Sequence, residues 1–170
     1  MTQETTNLLR HWGITPQYDC PTKNVEVTSY LDKWLQSYST NLMIVERPTD
    51  CIVNPTTIVE WLFTKIMHGD SKPSLICKCS GLDVIAFESE EDRLLRMQRL
   101  HSAPMVWLQE LSASSLSDAQ RNKLFQFLQS CSGSNKTVVI SVSLPIKVLV
   151  DWVGHVLSRV FERQFTILAV

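Results

Sequence analysis

Cys77 and Cys79 are separated by a single lysine and are the closest pair among the five cysteines of the chain. On a strand, residues two apart point to the same face. Such a pair gives only two sulfur ligands, fewer than a structural metal site needs, and a mutual disulfide there is strained. Cys20, Cys51 and Cys131 are scattered and leave an odd total. The opening MTQETTNLLRHW lacks the apolar core of a signal peptide. Free, mostly buried thiols are therefore expected.

A second set with chemical potential is Arg93, Arg96 and Arg99, which recur every third residue with His101 close behind. Such a series could follow a phosphate backbone. Glu90, Glu91 and Asp92 precede it, however, and acid early with base late is the ordinary complement to a helix dipole. A solvated helical face is the first reading and nucleic-acid contact the second. Glu46, Asp50, Glu110 and Ser141 form a third set, at the expected ends of strands, but no nucleophile and base can be paired by spacing. Gly-x-Ser-x-Gly, Gly-x-Gly-x-x-Gly and His-Glu-x-x-His are all absent. The four histidines, His11, His68, His101 and His155, fall in different elements. His68 and His101 suit helix C-termini.

The elements that would position these groups follow a regular order. After a punctuated opening (Gly13, Pro16, Pro21), residues 28–38 place Tyr30, Leu31, Trp34, Leu35 and Tyr38 at helical spacing, with Thr28 or Ser29 as cap. A buried strand is expected at 41–46 and a helix at 56–67, capped by Thr56. A strand follows at 74–79, then a helix through SEEDRLLRMQRL; 82–87 could be a further strand or the start of that helix. A strand at 104–111 leads to a helix with Leu124, Phe127, Leu128 and Cys131 on one face, capped by Ser117 or Ser115. A strand at 136–142 leads to a helix with Pro145 in its first turn and Leu149, Trp152, Val153, Val156 and Val160 in register. QFTILAV closes the pattern as a fifth strand.

Strands that alternate with helices, several of them continuously apolar, predict an α/β fold: a three-layer αβα sandwich around a mostly parallel sheet of about five strands. At 170 residues the chain suits one substantial core. Its hydrophobic fraction of 44%, charged fraction of 19% and net charge of −1 exclude a disordered tail. The charge balance also gives no global reason for nucleic acid or an anionic membrane as main partner. No apolar run is long enough to insert in a membrane, so a cytoplasmic or nuclear location is expected.

The layout of residues 40–170 resembles the RecA-like or AAA-like core of P-loop nucleoside triphosphatases. Leu42-Met43-Ile44-Val45, a loop and a helix opening on Thr56-Thr57 look like the family's first strand, phosphate loop and following helix. Met105 to Glu110 looks like the strand that carries its acidic residues, and Val138 to Ser143 like the next strand, which ends in a polar sensor. The resemblance implies a core at 39–170, preceded by an N-terminal extension, 1–38, whose helix packs on the core or on a partner.

The chain departs from the family where phosphate chemistry requires agreement. A phosphate loop needs glycines, whose backbone N–H groups surround the phosphates, and a lysine. Between Glu46 and Thr56 there is neither, Pro48 and Pro55 lack an N–H, and Asp50 would repel phosphate. Gln109 stands where an acidic magnesium ligand would be expected, and Glu110 alone matches an acid.

A noncatalytic, NTPase-like structural or adaptor subunit with no cofactor is therefore expected. It would act through protein partners in a homo- or hetero-oligomer, with Trp12, Tyr18, Trp34, Phe63 and Phe125 as exposed aromatic anchors. Two alternatives remain: a nucleic-acid-associated accessory protein of DNA repair, recombination or replication machinery using Arg93, Arg96 and Arg99, and a small enzyme with a site near Glu46, Asp50, Glu110 and Ser141.

Overall fold

The computed structural model describes residues 3–47, 53–69, 73–81, 84, 89–110 and 116–170, the side chains of Glu90, Arg93, Met97 and Trp152 excepted. Two helices, α1 (Gln3–His11) and α2 (Val25–Ser37), precede the first strand, β1 (Asn41–Val45). Then follow α3 (Pro55–Ile66), β2 (Ile76–Ser80), α4 (Glu90–Ser102), β3 (Met105–Gln109), α5 (Asp118–Gly133), β4 (Thr137–Val142), α6 (Ile146–Gln164) and β5 (Phe165–Ala169).

The five strands form one sheet in the order β2-β3-β4-β1-β5, and every pairing is parallel. Parallel neighbours need crossovers, and the helices supply them on both faces. Leu42 and Ile44 of β1, Trp107 of β3 and Val139 of β4 face a layer of α1, α2 and α3. Met43, Val45, Val106, Leu108 and Ile140 face α4, α5 and α6. The three-layer αβα architecture is that expected from the continuous apolar strands.

Helix starts depart from expectation in a consistent way. Asn24 caps α2, its Oδ1 accepting from the N–H groups of Glu26 and Val27, whereas Thr28 lies inside the helix and donates its hydroxyl to the Asn24 carbonyl. Asn54, not Thr56, caps α3, and Pro55 takes the first helical position, where a missing N–H costs nothing. Pro145 is extended and sits at the cap of α6 rather than in its first turn. At α5 the expected Ser117 does cap, in a reciprocal box with Gln120. Ser115, and most of the segment 82–87 with its strand-or-helix ambiguity, lie outside the described residues.

Two of the five proposed aromatic anchors are corrected. Phe63 is 0% exposed and Trp34 4% exposed. α3 lies between the sheet and the N-terminal segment, so its run Ile58-Val59-Glu60-Trp61-Leu62-Phe63 is buried on all sides. Phe63 packs edge-on against Trp107, with ring centroids 5.5 Å apart. Trp34 points inward and donates its indole N–H to the Thr40 carbonyl at 2.9 Å. Trp12 and Phe125 are half-buried against the core, while Tyr18 is exposed and stacks near His68.

α1 and the segment after it are fastened to the core by polar contacts as well as by Leu9 and Ile14, both buried. The Thr15 N–H reaches Glu60 Oε1 at 3.4 Å, the Gln17 N–H reaches Thr64 Oγ1 at 3.0 Å, and Lys78 Nζ donates to the Gly13 carbonyl at 2.7 Å.

Candidate functional site

In an open parallel sheet the ligand crevice lies beyond the strand C-termini, where the winding changes direction. Here β1 is inserted between β4 and β5, so the crevice falls between β1 and β4. Glu46 continues the ladder there, donating its N–H to the Val142 carbonyl at 3.2 Å, and Arg47 does the same toward Val170 at 2.7 Å. Both leave the sheet toward 48–52; Pro48, Asp50 and Cys51 of the expected phosphate-loop position lie outside the described residues.

The far side of that loop is described, and its first backbone N–H groups are already occupied. A helix N-terminus attracts phosphate because its first N–H groups have no intrahelical partner. At α3, Pro55 has no N–H to give. The Thr56 N–H donates to Asn54 Oδ1 at 2.9 Å, and the Thr57 and Ile58 N–H groups donate to the Asn54 carbonyl at 3.0 and 3.3 Å. The helix end is thus capped by its own chain.

The hydroxyls at the crevice are also turned inward. Ser141 is 0% exposed; its Oγ accepts from the Trp107 indole N–H at 3.0 Å and lies 3.5 Å from Thr56 Oγ1. Lys78 Nζ sits 4.6 Å from the centroid of the Trp107 ring. Burial pushes the Lys78 ammonium below its ordinary pKa, while Glu60 and, less strongly, Glu110 act in the opposite direction. Glu110 is exposed and takes a left-handed backbone (φ 47°), with its N–H donated to the Ser141 carbonyl at 2.9 Å. Of the four residues considered for an unfamiliar enzyme site, the described structure gathers Glu46, Glu110 and Ser141 at the strand ends. It withdraws Ser141 from solvent, and Asp50 is not described.

The arginine series lies elsewhere. Arg99 is exposed and Arg96 half-buried on α4, and the Arg93 side chain is outside the described residues. Arg99 and Arg96, with Lys136, lie close enough to Cys77 to favour its thiolate. Cys77 and Cys79 share one face of β2, with sulfurs 3.8 Å apart and both buried. The Cys79 thiol, hydrogen-bonded to Cys77, lowers the Cys77 pKa; that bond and burial raise Cys79. Cys20 and Cys131 are likewise free thiols, and burial raises Cys131 to about 11.

The Trp107–Ser141–Thr56 chain and the Asn54 cap were not anticipated. For the cap, the signal was Asn-Pro immediately ahead of an apolar run.

No family model matches the chain, and no curated protein matches it. Solved structures do. A crystal structure of a DNA replication initiation factor superposes with a TM-score of 0.65 at 12% identity, covering 92% of this chain and 50% of that one. The DnaC helicase loader gives 0.65 at 13% identity and covers 99% of both chains. AMPPCP-bound DnaA from Aquifex aeolicus gives 0.60 at 11% identity, covering 86% of this chain and 47% of that one. The chain therefore spans about half the length of the initiation factor and of DnaA. The likeness is one of fold, and it agrees with the three-layer α/β architecture expected from the sequence. Among the described residues no helix is long and apolar enough to cross a membrane.

Proposed function

We propose that this chain is a noncatalytic AAA-like subunit that works by binding other proteins within a DNA-replication assembly. The observation that carries the reading is the self-capped N-terminus of α3. Asn54 occupies donors that a phosphate-binding helix would leave open, and Pro55 removes another. The sequence of the connecting loop points the same way, since Arg47 is its only basic residue and it has no glycine. Replication enters through the neighbours, a helicase loader and a replication initiation factor, whose fold the chain shares.

Without a nucleotide to bind, such a core contributes shape and surface. The half-buried Trp12 and Phe125 and the exposed Tyr18 are the aromatic anchors left for a partner. Light scattering during size-exclusion chromatography, with cross-linked co-purification from the native cell, tests this reading. The chain is expected in a recurrent complex larger than its own 19.4 kDa. A monodisperse monomer with no recurrent partner would sink it.

A second reading, direct nucleic-acid contact through Arg96 and Arg99, is favoured by one neighbour: a replication initiator DnaA bound to AMPPCP and single-stranded DNA shares the fold, with a TM-score of 0.59. Submicromolar oligonucleotide binding at about 150 mM salt, abolished by Arg96→Ala with Arg99→Ala, would promote it.

A further inference from the structure

α6 is not one continuous helix. Gly154 adopts φ 79° and ψ 167°, a conformation essentially restricted to glycine, and the helix breaks there. Its second half places His155, Arg159 and Arg163 at four-residue spacing, hence on one stripe. These three, with Val156 and Val160 of the same half and Gln129 of α5, line an open surface groove of about 560 Å³. Val156 is 69% exposed, while Val160 is half-buried and packs on the core below. The groove therefore has an apolar floor beside a basic stripe. Its lining carries no carboxylate, and among the described residues neither Arg159 nor Arg163 takes part in an ion pair.

From this geometry we infer that the α5–α6 groove docks an acidic amphipathic helix of a partner protein. The inference rests on the reading of the chain as a subunit that works through protein partners. His155 to Arg163 spans about 12 Å of helix, a little over two turns. A helix laid along the stripe can therefore match it with carboxylates on successive turns and set leucine-sized side chains against Val156 and Val160. The charge complementarity is one-sided, since the charged groups of the lining, Arg159 and Arg163, are both basic. A nucleic-acid strand fits less well, because the basic stripe runs beside the exposed Val156 and half-buried Val160, and the lining has no Phe, Tyr or Trp on which bases could stack. A small anion fits less well still, because the groove is broad and open and half apolar.

Fluorescence anisotropy with the whole chain and a labelled amphipathic peptide of about 15 residues, glutamates along one edge of a leucine stripe, tests the inference. At about 150 mM salt the peptide is expected to bind, and a peptide with lysines in place of the glutamates is not. Arg159→Glu with Arg163→Glu should weaken binding at least about tenfold. Val156→Ser should weaken it about threefold, since it removes only part of the apolar floor. Arg99→Ala, on α4, should leave binding unchanged. All of these positions are exposed, so circular dichroism should show folded variants.

Equal affinity in the double variant, or an equal loss in Arg99→Ala, would overturn the assignment. So would a single-stranded oligonucleotide that binds more tightly than the peptide and is lost in the same double variant. That result would give the groove to nucleic acid. A chain that binds no peptide yet co-purifies in a recurrent complex would remove the groove and leave the wider reading standing.

Discussion

Removing the Ser141 hydroxyl should destabilise the protein although it deletes a single oxygen. Trp107 and Ser141 are both 0% exposed, and the indole N–H has Ser141 Oγ, 3.0 Å away, as its acceptor. Ser141→Ala strands that donor between Phe63 and the sheet, where water does not reach. A buried donor left without a partner costs about 1–3 kcal/mol, whereas the volume change from serine to alanine is small. For a chain of this length 1 kcal/mol corresponds to about 2–4 °C, so a loss near 2 kcal/mol lowers Tm by about 4–8 °C. Thr56→Val is the control: its hydroxyl is 3.5 Å from Ser141 Oγ, at the limit of a hydrogen bond, and its loss should cost under about 0.5 kcal/mol. Equilibrium urea unfolding, followed by circular dichroism and tryptophan fluorescence, measures both. A Ser141→Ala midpoint equal to wild type, or a Thr56→Val loss as large as that of Ser141→Ala, would refute the view that Ser141 serves the core. It would return Ser141 to consideration as a ligand-facing group.

Gly154→Ala should cost about 1–3 kcal/mol in the same assay through backbone strain, because the space itself is ordinary, with Arg121 Nε 3.7 Å from the added methyl. An unchanged midpoint would mean that the break in α6 is not conformationally required. In the thiol pair, the first thiolate should form below the ordinary value of 9.0 and be followed by ultraviolet absorbance; Cys79→Ala should move it upward, and Cys77→Ala should abolish it. Because the folded Cys77 pKa is depressed, its contribution to stability is present above pH 9.0 and is lost as pH falls through the folded value. Wild type should therefore gain on Cys77→Ala as pH rises toward 9.0, and a flat difference would contradict the assignment.

The layer order was legible in the sequence because strands buried on both faces are almost continuously apolar, as in Leu42 to Val45 and, Ser141 excepted, Val138 to Val142. Helix starts were less legible. Thr28 and Thr56 are good caps by type, but the cap is chosen by which side chain precedes the first helical backbone, and Asn24 and Asn54 hold that place. Phe63 and Trp34 illustrate a different limit. A large aromatic in a helix reads equally as anchor or core until its neighbours are known, yet the apolar stretch around Phe63, interrupted only by Glu60 between Ile58 and Phe63, already pointed to a helix with little solvated face. The Trp107–Ser141 bond joins residues 34 apart in sequence and has no local signature. The break at Gly154 was hidden because the valine spacing of α6 continues through it.

The central claim is that the crevice between β1 and β4 holds no nucleotide. Isothermal titration of the purified chain with ATP–magnesium tests it most directly. A true site present at a hundredfold excess of ligand over Kd would also stabilise the fold by about 2.7 kcal/mol, so a thermal scan of the same samples is an independent readout. The account predicts no binding heat above dilution up to millimolar nucleotide, no shift in Tm and no release of phosphate. Micromolar affinity that disappears in Thr57→Ala or Glu110→Ala would contradict it.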